Sequence, residues 1–299
     1  MSLETKIGGI KLKNPLIAAS GTFGFGEEYE PYMDVSSLGA VCSKGLTLNP
    51  KAGNSGVRIY ETSGGLMNSI GLQNPGVAHF IEYEYEYMKS LGTKIIVNLG
   101  GNSIEEYVRG AEMLENAGCE IIELNISCPN VKEGGMAFGI KSSDAEKVVS
   151  EVRKVFTGHL MVKLSPNCED ITDMALTCES AGADSLSLIN TFSALAVDIA
   201  AKKAVFDNIT AGYSGPAVKP IALRMVYQVS KAVKCPVIGI GGIMSAKDAL
   251  EFIMAGASAV QIGTANFTDP AISENILAEL ENYVKKEKLK SLDGIKGII

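Results

Sequence analysis

The sequence predicts an α/β fold, a TIM (β/α)8 barrel, from three observations. Eight short apolar segments recur along the chain, and amphipathic stretches long enough to form helices lie between most of them. The length of 299 residues suits one such barrel, which usually takes about 250 residues. No linker rich in Pro, Gly or Ser divides the chain, so we expect one domain over residues 1–299.

The apolar segments are interpreted as the strands of the barrel. Most are rich in β-branched residues, as expected when both faces of a strand are buried. The predicted strands are residues 16–19, 40–43, 94–98, 121–125, 160–164, 185–189, 237–240 and 259–262.

The intervening stretches predict helices at residues 104–117, 143–155, 171–181, 221–233, 246–255 and 270–288. The first follows Asn102-Ser103 and ends at Gly118, which are typical start and stop signals. In residues 77–88 the run EYEYEY alternates like a strand, but the apolar residues also fit a helical stripe, and we favour the helix. Residues 5–12 predict a small hairpin positioned to plug the bottom of the barrel.

The composition argues against several functions. The 27 basic and 34 acidic residues give a net charge of −7, whereas a nucleic-acid-binding protein favours a basic face. None of the six cysteines forms a C-x-x-C pair, so we predict no metal or iron–sulfur site in this chain alone. No signal segment or run of 18 apolar residues occurs, so we expect a soluble cytoplasmic protein that does not bind membranes.

Polar residues follow the ends of the predicted strands, where a barrel of this type has its active site. Two lysines and three asparagines directed at one mouth are a more specific signal than scattered polar residues. The segments 45–75 and 191–220 are longer than ordinary loops and follow strand ends, so they should contribute to the site. The strand-end polar residues are Ser20, Lys44, Asn98, Asn125, Cys128, Lys163, Asn190 and Thr191.

Small residues follow the last two predicted strands, as Gly241-Gly242 and Gly263-Thr264. Each pair alone could be a simple turn, but together, in these two loops, they favour a phosphate held by backbone N–H groups. No G-x-G-x-x-G motif follows a strand and opens a helix, so we find no nicotinamide site in this chain.

Lys44 and Lys163 lie in or at the end of apolar strands, where an unpaired lysine is costly to bury. A structural ion pair is one explanation. The functional interpretation is that both lysines face a bound anion or an electron-rich ring.

Cys128 follows a strand and precedes Pro129-Asn130 and the glycine-rich Gly134-Gly135, which is not a typical core setting. Most isolated cysteines are inert core residues, and we assign that role to the other five. The two histidines are far from Cys128 in the predicted barrel, so a Cys–His dyad is not expected.

These residues resemble the class 1 dihydroorotate dehydrogenases along nearly the whole chain. The resemblance is carried by Asn14-Pro-Leu, Ala19-Ser-Gly, Ser43-Lys-Gly, the segment NSIGLQNP at 68–75, NISCPN at 125–130, VKLSP at 162–166, Ile189-Asn-Thr, Gly215, the segment GIGG at 239–242 and Gly263-Thr264.

The resemblance implies an enzyme of de novo pyrimidine (UMP) biosynthesis that binds one FMN and oxidises dihydroorotate to orotate. Cys128 would remove the C5 proton while a hydride moves from C6 to the flavin. Substrate contacts would come from Lys44, Asn68, Ser69, Ile70, Gly71, Leu72, Asn125, Asn190 and Thr191. Flavin contacts would come from Ser20, Lys44, Gly45, Asn98, Asn125, Lys163, Ile189, Gly215, Gly241, Gly242, Gly263 and Thr264.

The segment MNSIGLQN at 67–74 and the loop GGMAFG at 134–139 resemble class 1B. That class implies a second subunit carrying FAD and a [2Fe-2S] cluster, which passes electrons to NAD, and a homodimer of this chain within a heterotetramer. Three alternatives stay open: a fumarate-using class 1A enzyme, a related flavin-dependent dihydropyrimidine or dihydrouridine enzyme, and a non-catalytic phosphate- or flavin-binding scaffold.

Overall fold

The computed structural model describes residues 2–127 and 138–299, and sixteen strands are found in them. Eight of these strands pair in parallel, and most are only three to six residues long. The strands are β1 Thr5–Ile7, β2 Ile10–Leu12, β3 Leu16–Ala18, β4 Ala40–Cys42, β5 Ile59–Thr62, β6 Gly65–Asn68, β7 Lys94–Leu99, β8 Ile121–Asn125, β9 His159–Leu164, β10 Ser185–Leu188, β11 Phe192–Leu195, β12 Val197–Asp198, β13 Lys203–Ala204, β14 Thr210–Ser214, β15 Val237–Ile240 and β16 Ala259–Ile262.

The parallel strands close into a barrel in the order β3-β4-β7-β8-β9-β10-β15-β16, with β16 pairing back onto β3. The predicted TIM barrel is therefore confirmed. Each predicted strand coincides with a barrel strand to within one residue at either end. The local sequence pattern suffices here because a strand that is buried on both faces is mostly apolar.

Helices surround the barrel at the positions that the sequence predicts. Their bounds are α1 Val77–His79, α2 Tyr85–Ser90, α3 Ile104–Asn116, α4 Ser142–Val155, α5 Ile171–Ser180, α6 Lys219–Ala232, α7 Ala246–Met254, α8 Ala265–Thr268 and α9 Ile272–Lys286, with a π-turn Phe80–Glu84 joining α1 to α2. The helical interpretation of residues 77–88 is thus confirmed. Side-chain caps begin several of them: Ser103 accepts from the Glu106 N–H at α3, and Asp170 accepts from Thr172 and Asp173 at α5.

The N-terminal hairpin β1–β2 closes the end of the barrel where the strands begin. Ile7 and Leu12 are fully buried against Ile17, Ile96 and Met161 of the barrel interior. The predicted hairpin at the bottom of the barrel is thus confirmed, and its turn lies against His159 at the start of β9. The apolar plug leaves only the opposite end of the barrel available for a site.

The two long segments after β4 and β10 contain structure that the sequence did not predict. Strands β5, β6, β11 and β14 form a four-stranded antiparallel sheet in the order β11-β14-β6-β5. In it Asn68 of β6 pairs with Gly212 of β14, so the two segments join over the mouth of the barrel. Within the described residues, no helix is long and apolar enough to cross a membrane.

Candidate active site

A cavity of about 490 Å³ opens at the carboxyl ends of the barrel strands. The four-stranded sheet forms one wall, through Leu66, Ala211 and Tyr213. A volume of this size lies within the range of small-molecule and cofactor sites.

The cavity is lined by the site residues that the sequence analysis predicted. Apart from Cys128, every predicted substrate or flavin residue lines it; what each one binds stays a prediction. Cys128 lies outside the described residues. The lining residues from the prediction are Ser20, Lys44, Gly45, Asn68, Ser69, Ile70, Gly71, Leu72, Asn98, Asn125, Lys163, Ile189, Asn190, Thr191, Gly215, Gly241, Gly242, Gly263 and Thr264.

At one side of the cavity, glycines bring three backbone segments close together. Gly215, Gly241 and Gly242 all have positive φ, at 110°, 125° and 72°. A Cβ atom on Gly242 would lie 2.8 Å from the Gly215 carbonyl oxygen and 2.8 Å from the Lys219 backbone nitrogen. The hydroxyl of Thr264 donates to that of Ser214 at 2.8 Å. We call Gly215, Gly241 and Gly242 the glycine cradle. It leaves space for a small anionic group to approach the backbone, whereas a side chain would not fit there.

Asparagine amides at another part of the cavity are held by hydrogen bonds to one another. The Asn190 amide donates to the Ser127 hydroxyl at 2.7 Å and to the Asn125 side-chain oxygen at 3.3 Å. The Asn190 side-chain oxygen accepts from the Thr191 N–H at 2.8 Å. These contacts fix which way each amide faces, so the site presents ordered donors and acceptors to a planar polar ligand.

A tight turn presents backbone at the cavity edge. Leu72 has φ 52° and Gly71 has φ 73°, and both residues line the cavity. A left-handed leucine is an unfavourable conformation that is held by its surroundings, and such residues concentrate at functional sites.

Lys163 is both an ion-pair partner and a cavity residue, so the two interpretations of it are not exclusive. Its ammonium lies 3.4 Å from the Glu123 carboxylate, and the two side chains are only 7% and 0% exposed. Lys44 also lines the cavity, and in the described part of the chain its ammonium has no carboxylate partner within ion-pair distance.

Glu123 belongs to a buried polar network that the sequence analysis missed. Burial by itself raises the pKa of this carboxyl, but attraction by Lys163 and hydrogen bonds from Gln261, Ser187 and Asn98 outweigh it and lower the pKa below its ordinary value. The carboxylate is therefore ionised at neutral pH. A charged or amide residue in an otherwise apolar strand, as in IIELN at 121–125 and AVQI at 259–262, was the available signal.

The described cysteines are poor sources of a thiolate. All five are free thiols. Burial raises the pKa of Cys42 well above its ordinary value, and the pKa values of Cys119, Cys178 and Cys235 to about 12. Burial also raises the pKa of Cys168, to about 11. These values agree with the inert role predicted for them.

The sequence of the chain matches a family model described as dihydroorotate dehydrogenase over residues 2–284. The chain belongs to the dihydroorotate dehydrogenase family. The resemblance inferred from the strand-end motifs is thereby confirmed.

Among curated proteins, similar chains are named dihydroorotate dehydrogenase B (NAD(+)), catalytic subunit. The one from Petrotoga mobilis is 59% identical over 299 residues, which cover 99% of this chain and 100% of that protein. Those from Citrifermentans bemidjiense and Geobacter metallireducens are 51% and 52% identical over 298 and 301 residues, covering 99% of this chain and 98% of each relative. The resemblance to class 1B thus extends over whole chains.

Proposed function

We propose that this chain is the catalytic subunit of a B-type dihydroorotate dehydrogenase, which oxidises dihydroorotate to orotate in pyrimidine biosynthesis. The proposal rests on one cavity in this member of the dihydroorotate dehydrogenase family. Amides, two lysines and a glycine cradle, which come from nearly every strand end of the barrel, all face into it. We further propose that residues 1–299 act as one domain, in the cytoplasm.

FMN is the cofactor that the cavity fits. The cradle at Gly215, Gly241 and Gly242 leaves no room for a Cβ atom, which suits the close approach of one phosphate to backbone N–H groups. When bound, FMN supplies a two-electron acceptor for a hydride from the substrate. Ser20, Gly45, Asn98, Ile189, Gly263 and Thr264 would complete its contacts.

The substrate is a planar ring with amide groups and a carboxylate. Asn68, Asn125, Asn190 and Thr191 line the cavity with amide and hydroxyl groups that can donate to and accept from such a ring, and the turn at 69–72 offers backbone groups. Lys44, which has no carboxylate partner among residues 2–127 and 138–299, would supply a positive charge for the carboxylate. Residues thus fixed before binding lose little conformational entropy when the substrate binds.

Cys128 would act as the general base for the C5 proton. In the sequence Cys128 is three residues after Asn125 and directly follows Ser127, and both of these residues line the cavity. The proton would pass to the thiolate sulfur, and the hydride leaving C6 would take the two electrons of its C–H bond to the acceptor. Formation of the C5–C6 double bond then balances the reaction.

Electrons would leave through a second subunit. The relatives are named as catalytic subunits of NAD(+) enzymes, and this chain has no dinucleotide-binding motif. A partner with FAD and a [2Fe-2S] cluster would link the cavity to NAD, in a heterotetramer built on a homodimer of this chain.

A substrate comparison tests the proposed reaction. The purified chain, mixed anaerobically with dihydroorotate, should lose its yellow colour within one turnover and release one orotate per flavin. Dihydrouracil, which has the same ring without the carboxylate, should react far more slowly. Equal rates with the two would favour a dihydropyrimidine dehydrogenase, and a chain that binds no flavin would favour a non-catalytic scaffold.

A further inference from the structure

We propose that Glu123 is a positioning residue of this site: from beneath the cavity floor, its carboxylate fixes the ammonium of Lys163 and the amide of Asn98. The inference rests on the proposed function, because it assigns a task to the flavin-facing cation. It concerns a side chain that does not line the cavity and that the resemblance did not single out.

The position of Glu123 follows from strand alternation. Residues two apart on a strand face the same side, so Glu123 lies in the barrel interior one layer below Asn125, a cavity residue. Glu123 pairs across the sheet with Asn98 of β7, and Asn125 pairs with Lys163 of β9. The carboxylate therefore lies beside Asn98 and one layer below Lys163, the two residues whose polar groups enter the cavity.

The two carboxylate oxygens have different partners. Oε2 accepts from the Ser187 hydroxyl at 2.8 Å and the Gln261 amide at 2.6 Å, and neither of these residues lines the cavity. Oε1 accepts from the Asn98 amide at 2.7 Å and the Lys163 ammonium at 3.4 Å, both of which line the cavity. It also accepts from the buried Cys42 thiol at 3.4 Å, which does not line the cavity. Oε2 therefore anchors the carboxylate to the barrel, and Oε1 is the oxygen that contacts cavity residues.

A structural explanation alone does not account for the network. Replacing a buried ion pair by apolar residues of similar volume is often neutral or stabilising, because ions lose their hydration on burial. The barrel interior could be filled with apolar side chains, as it is around Ile17 and Ile96. An ionised carboxylate whose oxygens all accept hydrogen bonds is expected where a neighbouring cation, here the Lys163 ammonium, must stay charged and in a fixed position.

The charge on Glu123 also bears on electron transfer. A hydride brings negative charge into the cavity, and the Lys163 ammonium favours its arrival. The Glu123 anion partly cancels that field, and in a site this buried little solvent screens either charge. Removal of the anion should therefore make reduction of the bound flavin more favourable.

Glu123→Gln tests the inference because it removes the charge and keeps the size. In the FMN-loaded chain we expect the midpoint potential of the flavin, measured by dye-coupled spectroscopic titration, to rise. A tenfold change in the equilibrium is about 30 mV for a two-electron couple. FMN content is measured in the same sample. Ser185→Ala is the matched control, since Ser185 is a fully buried residue of the same interior that bonds His159 at 2.8 Å instead of Glu123; its potential should equal that of the wild type.

Glu123→Asp is a second variant, needed if the first does not fold. It keeps the charge but withdraws the carboxylate by one methylene. We expect kcat with an artificial acceptor to fall by roughly 10- to 100-fold, as displaced groups commonly cause, with the KM for dihydroorotate nearly unchanged.

The outcomes separate this inference from the proposed function. Wild-type chain without FMN, or without dihydroorotate turnover, would overturn the proposed function. Wild-type activity together with an unshifted potential in FMN-loaded Glu123→Gln would overturn the positioning role alone. An equal shift in Ser185→Ala would also overturn it, because the potential would then report general disturbance of the barrel.

Discussion

The ammonium of Lys163 lies 3.4 Å from the carboxylate of Glu123, and both side chains are buried inside the barrel. The cation that faces the cavity is thus half of an ion pair whose other half is hidden below the floor. Their strands are neighbours, so the relative position of the two charges is set by the parallel register of β8 and β9. A change in either charge should therefore affect both the stability of the barrel and the electrostatic potential in the cavity.

Loss of either partner should destabilise the fold more than loss of both. Glu123→Gln or Lys163→Met leaves one buried charge uncompensated, which typically costs about 3–5 kcal/mol. The double variant should lose less free energy of unfolding than the sum of the two single losses. Denaturant unfolding of all four proteins measures the coupling, and strict additivity would show that the pair does not interact.

The same pair predicts a pH dependence of stability. Folding lowers the pKa of Glu123 below its ordinary value of 4.5, so its stabilising contribution is complete above that value. The contribution is lost as the pH falls through the lowered pKa of the folded state, because protons then bind the unfolded chain more readily. Between pH 6 and pH 3, the unfolding free energy of the wild type should fall more steeply than that of Glu123→Gln. Parallel curves would contradict this.

The purified chain should contain FMN rather than FAD, at about one per chain. The glycine cradle admits a single phosphate closely, and no dinucleotide motif accompanies it. Mass spectrometry of the flavin released by heat identifies the cofactor. FAD alone in that fraction would refute the assignment.

Gly242→Ala should weaken FMN binding by about tenfold or more, since each 1.4 kcal/mol of strain or lost contact corresponds to a factor of ten. Its φ of 72° disfavours a side chain, and the new Cβ would lie 2.8 Å from the Gly215 oxygen. Gly9→Ala is the matched control, because nothing lies within 4 Å of a Cβ there. Binding of FMN to the apoprotein, followed by flavin fluorescence, measures both. If Gly242→Ala and the wild type bound FMN with equal affinity, the glycine cradle would not be part of the cofactor site.

Cys128→Ser should reduce the rate of dihydroorotate oxidation by roughly 10²-fold or more, as removal of a general base commonly does. Orotate binding should be largely kept, and activity should partly recover at alkaline pH because serine is a much weaker acid. Cys168→Ser, outside the cavity lining, should behave as wild type. A Cys128→Ser rate that is unchanged from pH 6 to pH 10 would exclude Cys128 as the base.

The isolated chain should reduce its flavin with dihydroorotate but should pass electrons to NAD hardly at all. It lacks a dinucleotide-binding motif, and its cysteines lack cluster spacing. Artificial dyes should still accept electrons, and a partner with FAD and an iron–sulfur cluster should restore NADH formation. Stopped-flow mixing of chain, dihydroorotate and NAD is the direct test. Rapid NADH formation by the chain alone would contradict the proposal, and rapid turnover with fumarate would indicate class 1A.

Much of the site could be predicted because, in a TIM barrel, the position of a residue relative to its strand determines at which end of the barrel it lies. Residues that follow strands meet at one end of the barrel, so Lys44, Asn98, Asn125 and Lys163 could be grouped before their distances were known. The additional cavity residues Asn54 and Asn208 were missed because they lie in the two long connections, and Asn167 was missed in the short loop 165–170. In all three loops no local periodicity fixes the direction of a side chain. Asn167, for example, donates to the Thr191 carbonyl oxygen, a contact with another loop.

The barrel strands, the surrounding helices and the glycine turns could be predicted from the amino-acid sequence, because each depends on a local pattern of burial or on backbone freedom within a few residues. The sheet that pairs Asn68 with Gly212 and the network that joins Glu123 to Gln261 became apparent only in the three-dimensional structure. The partners in these contacts are separated by more than 130 residues. Burial of a lone carboxylate in an apolar strand is unfavourable unless donors from other strands surround it. The role of Glu123 therefore depends on donors that are distant in the sequence, and a local pattern does not reveal them.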